Sequence, residues 1–129
     1  MTTTYPTDLR YTPDHEWLRA HGTAWRVGIT QFAVDQLGDI TLVDLPKQGD
    51  LVTKGQRFGT IESVKSVSDL YAPVSGKVIA INAQLKDSPE LVNSEPYASG
   101  WMIDIEPTEK GELDDLLDPA AYRKHVAAQ

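Results

Sequence analysis

Turn signals recur through this chain at a spacing that leaves room for little besides short strands. Gly22, Gly38, Pro46, Gly49-Asp50, Lys54-Gly55 and Ser75-Gly76 punctuate the stretch between residues 22 and 76. The segments between them are β-like. Trp25-Arg26-Val27-Gly28-Ile29-Thr30 alternates apolar with polar or small residues, the pattern of a half-buried strand. A hairpin turn around Ala20-His21-Gly22-Thr23 joins it to Trp17-Leu18-Arg19. Ile40 to Leu45, Gln56 to Val64, Ser68 to Ala72 and Lys77 to Asn82 read as further strands, and Trp101, Ile103 and Ile105 alternate with Met102, Asp104 and Glu106 in another. Val78-Ile79-Ala80-Ile81 shows no polar alternation, which predicts burial on both faces. Many short strands with regular turns predict a mainly β sandwich or barrel rather than a crossover α/β fold.

Helices have little room. Thr30 is placed to cap a short helix over residues 32–37, stopped by Gly38. Ser88-Pro89-Glu90 reads as a cap with proline at the first helical position, opening a helix to Asn93. A C-terminal helical segment is expected over about residues 112–127. In it, Leu113, Leu116 and Leu117 fit one face, Glu112, Asp114 and Asp115 suit a helix start, and Asp118-Pro119 begins a second helix.

The length, 129 residues with 40% hydrophobic, fits a single domain over 1–129 with an extended lead-in of about 1–12. No cysteine is present, which excludes disulfides, thiolate metal sites and cysteine nucleophiles. Twelve Lys and Arg against 19 Asp and Glu leave a net charge of −7, the wrong sign for nucleic acid or an anionic membrane surface. No apolar run approaches the roughly 20 residues of a spanning helix, and no basic-plus-apolar leader opens the sequence, so the expected compartment is the cytoplasm. Hydrolase, zincin and phosphate-loop motifs are missing. His15, His21 and His125 lack the spacing of a helical metal pair, so no metal is expected.

One segment carries chemistry. Glu62-Ser63-Val64-Lys65-Ser66-Val67-Ser68-Asp69 sets a lone lysine between two strand-like runs, among serines. A lysine at a hairpin tip is exposed because both strands run away from it, and small neighbours let another protein's active site close around its ε-amine. An ordinary solvated turn lysine has the same pattern, so the residues alone leave both readings open.

Resemblance separates them. Glu62-Ser63-Val64-Lys65-Ser66 followed by Ser68-Asp69-Leu70-Tyr71-Ala72-Pro73-Val74-Ser75-Gly76 resembles the lipoyl-attachment region of the glycine cleavage system H-protein family. Tyr11-Thr12-Pro13-Asp14-His15-Glu16-Trp17, Val27-Gly28-Ile29-Thr30, Gly38-Asp39-Ile40, Val43-Asp44-Leu45-Pro46, and Ser88 to Tyr97 with Gly100-Trp101 resemble its other blocks, in the family's order. Ser66 stands where the family often has alanine. Phe32 stands at an aromatic or histidine position and so brings no side-chain hydrogen bond there. Val64-Lys65-Ser66 resembles neither the Asp-Lys-Ala of 2-oxo acid dehydrogenase carriers nor the Met-Lys-Met of biotin carriers.

The resemblance implies a two-sheet β-sandwich of the lipoyl/biotinyl-carrier type, a barrel-sandwich hybrid, with short peripheral helices. It implies a non-catalytic carrier with lipoate in amide linkage to Lys65. A lipoate ligase or a lipoyl/octanoyl transferase would attach the lipoate. The partners would be a pyridoxal-phosphate glycine decarboxylase (P-protein), a folate-dependent aminomethyltransferase (T-protein) and a dihydrolipoyl dehydrogenase (L-protein). A lipoate relay to other complexes, or an unmodified scaffold homologue, remain the alternatives. Glu62 and Asp69 flank Lys65 and either mark the hairpin for the ligase or merely solubilise strand ends. A loaded aminomethyl arm is cationic and hydrolysable, so folding it against the protein beside an acid would protect it. Glu16 is the candidate acid and Trp17 the candidate apolar wall.

Overall fold

The computed structural model describes residues 5–128. Strands β1 (Arg10–Tyr11), β2 (Glu16–His21), β3 (Ala24–Ile29), β5 (Leu51–Val52), β8 (Gly76–Ile81) and β9 (Ile103–Pro107) form one antiparallel sheet in the order β1-β2-β3-β9-β8-β5. Strands β4 (Ile40–Asp44), β6 (Arg57–Ser63) and β7 (Val67–Tyr71) form a second, in the order β4-β6-β7. The two sheets face each other without closing into a barrel, and Leu18, Val27, Ile61, Val74, Val78 and Ile105 fill the core between them. The mainly β, two-sheet expectation holds.

Local chemistry explains most elements. Gly22 takes φ +64° in the β2–β3 hairpin, a conformation other L-residues avoid. Helix α1 (Gln31–Leu37) starts at Thr30, whose hydroxyl accepts from the Ala33 N–H, and ends at Gly38 with φ +79°. The last helix, α4 (Pro119–Ala127), starts at Asp118, whose carboxylate accepts from the Ala121 N–H at 2.7 Å, with Pro119 in its first turn.

The lead-in is tied down within its described part. Tyr5, Leu9 and Tyr11 join Trp17 and Tyr122 in a second cluster beneath α4; residues 1–4 lie outside the described residues. The first half of β2 is therefore buried on both sides, Leu18 facing the main core and Trp17 the aromatic cluster, while Ala20 and His21 are exposed. Gly28 is paired with Trp17, and a Cβ built there would stand 2.6 Å from the indole, so the strand needs glycine at that point.

Three expectations are corrected. Strand β8 is not buried on both faces: Val78 is buried, but Ile81 is 36% exposed, and Lys77 is exposed although it is paired on both sides, so the outer face of the strand meets solvent. Strand β9 forms as expected, with both faces covered over Ile103 to Ile105. It lies between β3 and β8, and Asp104 is buried under a two-pronged ion pair with Arg26 (2.9 and 3.1 Å), whose guanidinium lies 3.9 Å from the Trp101 ring centre. Pro89 does not open a helix. Helix α2 (Gln84–Asp87) precedes it, and α3 (Leu91–Ser94) begins only after a turn at Pro89 and Glu90. Leu113, Leu116 and Leu117 do not share an α-helical face. Lys110–Asp115 is a 3-10 helix, and Leu117 is extended, exchanging both backbone hydrogen bonds with Tyr11. The acidic residues there have tertiary tasks: Glu112 accepts from the Ser75 N–H (2.7 Å) and hydroxyl (3.2 Å), and Asp115 pairs with Lys54.

Candidate functional site

Lys65 stands exposed at the tip of the β6–β7 hairpin. The tip is held by one hydroxyl: Ser63 Oγ accepts from the N–H groups of Lys65 (3.2 Å) and Ser66 (3.1 Å), while the Ser63 N–H donates to the Ser66 carbonyl at 2.8 Å. The Val64 N–H donates to the Asp39 carbonyl at 3.0 Å, anchoring the tip to the end of α1. The lysine stem runs over Gly38, where a Cβ would meet Lys65 Cε at 2.9 Å. Val64 and Val67, 68% and 65% exposed, leave an apolar rim around the amine.

Glu62 and Asp69 lie on the same hairpin, Glu62 half-buried and Asp69 exposed. Asp69 is within 3.8 Å of Arg57 and accepts from the Tyr71 hydroxyl at 3.5 Å.

A groove of about 490 Å³ opens beside the hairpin. Ser66, Ser68, Leu70 and Tyr71 form one side, Ala33 and Leu37 of α1 the other, with Ile29 and Ile61 also lining it and the turn at residues 13–16 closing it. Glu16 lies in that turn. It is 2% exposed, yet it lines the groove. Its carboxylate accepts from Thr12 Oγ1 at 2.8 Å and from the Tyr71 N–H at 3.4 Å. Thr12 Oγ1 in turn accepts from the Glu16 N–H at 3.1 Å, and the Thr12 N–H donates to the Glu16 carbonyl, so residues 12–16 form a tight turn with His15 at φ +70°. Burial pushes the Glu16 carboxyl up to about 8, the charge of Asp14 adds to this, and the hydrogen bonds from Thr12 and Tyr71 pull the other way. A buried carboxyl with capacity to spare at the edge of a groove is suited to accept a cation.

Trp17 does not share that task. Neighbouring residues of a strand point to opposite faces, and Trp17 is fully buried in the aromatic cluster, its indole N–H donating to the Pro96 carbonyl at 2.9 Å. The apolar lining comes from Ile29, Leu37, Ile61 and Leu70. Sequence reasoning also passed over Thr12, Ser63 and Gly38. The only signal for Thr12 was a hydroxyl four residues before the acid.

The family profile described as Glycine cleavage H-protein matches residues 9–129. The chain belongs to the glycine cleavage H-protein family. Membership makes it the carrier component of the glycine cleavage system. The chain is 55% identical over 124 residues to the glycine cleavage system H protein of Anaeromyxobacter sp. (strain K), covering 96% of this chain and 97% of that one. It is 52% identical over 126 residues to the probable H protein of Haloarcula marismortui, covering 98% and 99%. The crystal structure of the H protein from Mycobacterium marinum superposes with a TM-score of 0.86 at 38% identity, covering 95% of this chain and 99% of that one. Among the described residues, no helix is long and apolar enough to cross a membrane.

Proposed function

We propose that Lys65 carries lipoate in amide linkage and that the protein shuttles an aminomethyl group on this arm. The glycine decarboxylase loads the oxidised arm, the aminomethyltransferase takes the methylene and releases ammonia, and the dihydrolipoyl dehydrogenase reoxidises the dithiol. The chain has no cysteine, so the sulfurs belong to the cofactor. The cytoplasm is the compartment we assign, and the chain itself performs no bond-making step. Glu62 and Asp69 offer a ligase its acidic mark on either side of the exposed amine.

The observation that carries this reading is the groove running from the Lys65 hairpin to Glu16. The arm extends roughly 14 Å from the lysine Cα, taking about eleven bonds at about 1.3 Å each. Strand β7 rises about 3.3 Å per residue, so an arm laid along it brings its ring to the level of Asp69 and Leu70. The aminomethyl group beyond the sulfur covers the rest of the way to Glu16. The dithiolane meets Ile29, Ile61 and Leu70, and the amine meets the buried Glu16 carboxyl, whose ionised form its positive charge favours. Water that attacked the free S–CH2–NH2 group would return a thiol, formaldehyde and ammonia; docking withholds that water. Neither a lipoate relay nor a scaffold needs such an acid.

The test combines lipoylated protein, glycine and the decarboxylase. We expect one aminomethyl mass per chain with lipoylated protein and none with unmodified protein. Loading of the unmodified chain contradicts the reading.

A further inference from the structure

We propose that the hydroxyl of Tyr122, on the C-terminal helix, is a positioning group that holds the turn closing the arm groove, and Glu16 within it, against the α1 wall. The inference rests on the shielding role given to the groove above.

Tyr122 is fully buried, and its ring stacks on Tyr11 at 4.5 Å with an interplanar angle of 9°. A phenylalanine ring would stack as well, so packing does not explain the hydroxyl. That oxygen lies 2.6 Å from Thr30 Oγ1 and 2.9 Å from His15 Nδ1. The two partners belong to one wall of the groove and to the turn that closes its end. Thr30 is the cap from which α1 springs, and α1 supplies Ala33 and Leu37 to one wall. His15 is the left-handed residue of the turn that closes the groove and holds Glu16. The Thr30 N–H also donates to the His15 carbonyl at 2.9 Å, so the backbone supplies one tie and the tyrosine hydroxyl a second, at the side chains. Two ties fix an orientation as well as a separation. They also hold His15 at a φ that L-residues rarely adopt.

The Tyr11 hydroxyl, in the same stack, shows the contrast. It donates to the Pro6 carbonyl at 2.6 Å, a residue that does not line the groove, and so ties neither α1 nor the closing turn. The remote helix α4 thereby reaches the functional site through the Tyr122 hydroxyl and, beside it, through His125 Nε2, 3.0 Å from the Pro13 carbonyl, and the Leu117–Tyr11 backbone pair immediately before it helps to fix its place.

Tyr122→Phe and Tyr11→Phe separate positioning from stability. Each loses one hydroxyl from the aromatic cluster, but only the first loosens the closing turn from α1. The lipoylated, reduced proteins are loaded with formaldehyde and ammonia; each thiol condenses with one of each to give S–CH2–NH2 and one water. Formaldehyde release is then followed well below the melting temperature of every variant, with Glu16→Gln alongside. We expect Tyr122→Phe to shorten the loaded lifetime at least about threefold, the scale set by one lost hydrogen bond. It should also shift the ¹⁵N resonance of His15 Nδ1, and Tyr11→Phe should change neither. Equal shortening in both tyrosine variants, or none in Tyr122→Phe while Glu16→Gln shortens it, overturns the positioning role and leaves the shielding reading standing. No shortening in Tyr122→Phe or in Glu16→Gln removes the shielding reading, and the positioning role with it.

Discussion

The side chain of Lys65 crosses the backbone of Gly38, so that a Cβ added there would fall 2.9 Å from Lys65 Cε and 3.6 Å from Nζ. One glycine thus ends α1 and clears the path of the lysine stem. The two needs have different costs. The stem is flexible and can move aside, whereas φ +79° is a backbone conformation that alanine resists. Gly38→Ala is expected to lower stability by about 1 kcal/mol in chemical denaturation and to leave Lys65 open to lipoylation. A melting curve superposable on wild type would show that the helix end does not depend on glycine.

Ser63 holds the hairpin tip through two backbone N–H groups. Ser63→Ala leaves both donors to water, at a cost of about 1 kcal/mol in local order. We expect faster amide exchange at Ser66 and a slower lipoylation rate with unchanged global stability. An unchanged exchange rate would assign the tip's order to its main-chain bonds alone.

The glycine-ended helix, the Thr30 cap and the hairpin around Lys65 were legible in the sequence because each depends on near neighbours in the chain. What escaped depends on distant ones. Glu112 is taken by Ser75 and Asp115 by Lys54, which pulls residues 110–117 out of the α-helix that their leucines suggest. Asp104 is polar yet buried, because Arg26 meets it across the β3–β9 pair. At the site, the family's motif pointed to Glu16, but its partner Thr12 and its burial became visible only once residues 12–16 closed on themselves. Trp17 does not wall the groove, and the sequence does not show this because the first half of β2 is covered on both faces, so its side-chain pattern does not say which face meets the groove.

Glu16 makes stability depend on pH in the direction opposite to an ordinary ion-paired acid. Its carboxyl, raised to about 8 chiefly by burial, keeps its proton in the folded state where the unfolded chain has already released it. Stability therefore falls as pH climbs from the ordinary carboxylate range through about 8. Glu16→Gln removes that slope. In urea titrations of the unmodified protein, we expect the variant to gain on wild type by about 1 kcal/mol or more between pH 5 and pH 8.5. A constant difference across that window would mean that the folded carboxylate ionises as it does in water.

Charge on the hairpin should govern recognition by the modifying enzyme. Glu62→Lys is expected to slow lipoylation more at low salt than at high salt, because a charge near the surface acts within about 10 Å at 0.1 M ionic strength. Asp69→Lys should show a weaker effect, since Arg57 already stands near its carboxylate. Rates insensitive to salt in both variants would reduce these residues to solubilising strand ends.

The most direct test of the carrier assignment is peptide-resolved mass spectrometry of the chain after incubation with lipoate and its ligase, for wild type and Lys65→Arg. Wild type should gain one lipoyl group, on the peptide containing Lys65. Lys65→Arg, which keeps the charge but cannot form the amide, should gain none while melting at the wild-type temperature. A lipoyl group on any other lysine, or on the folded Lys65→Arg variant, would contradict the account.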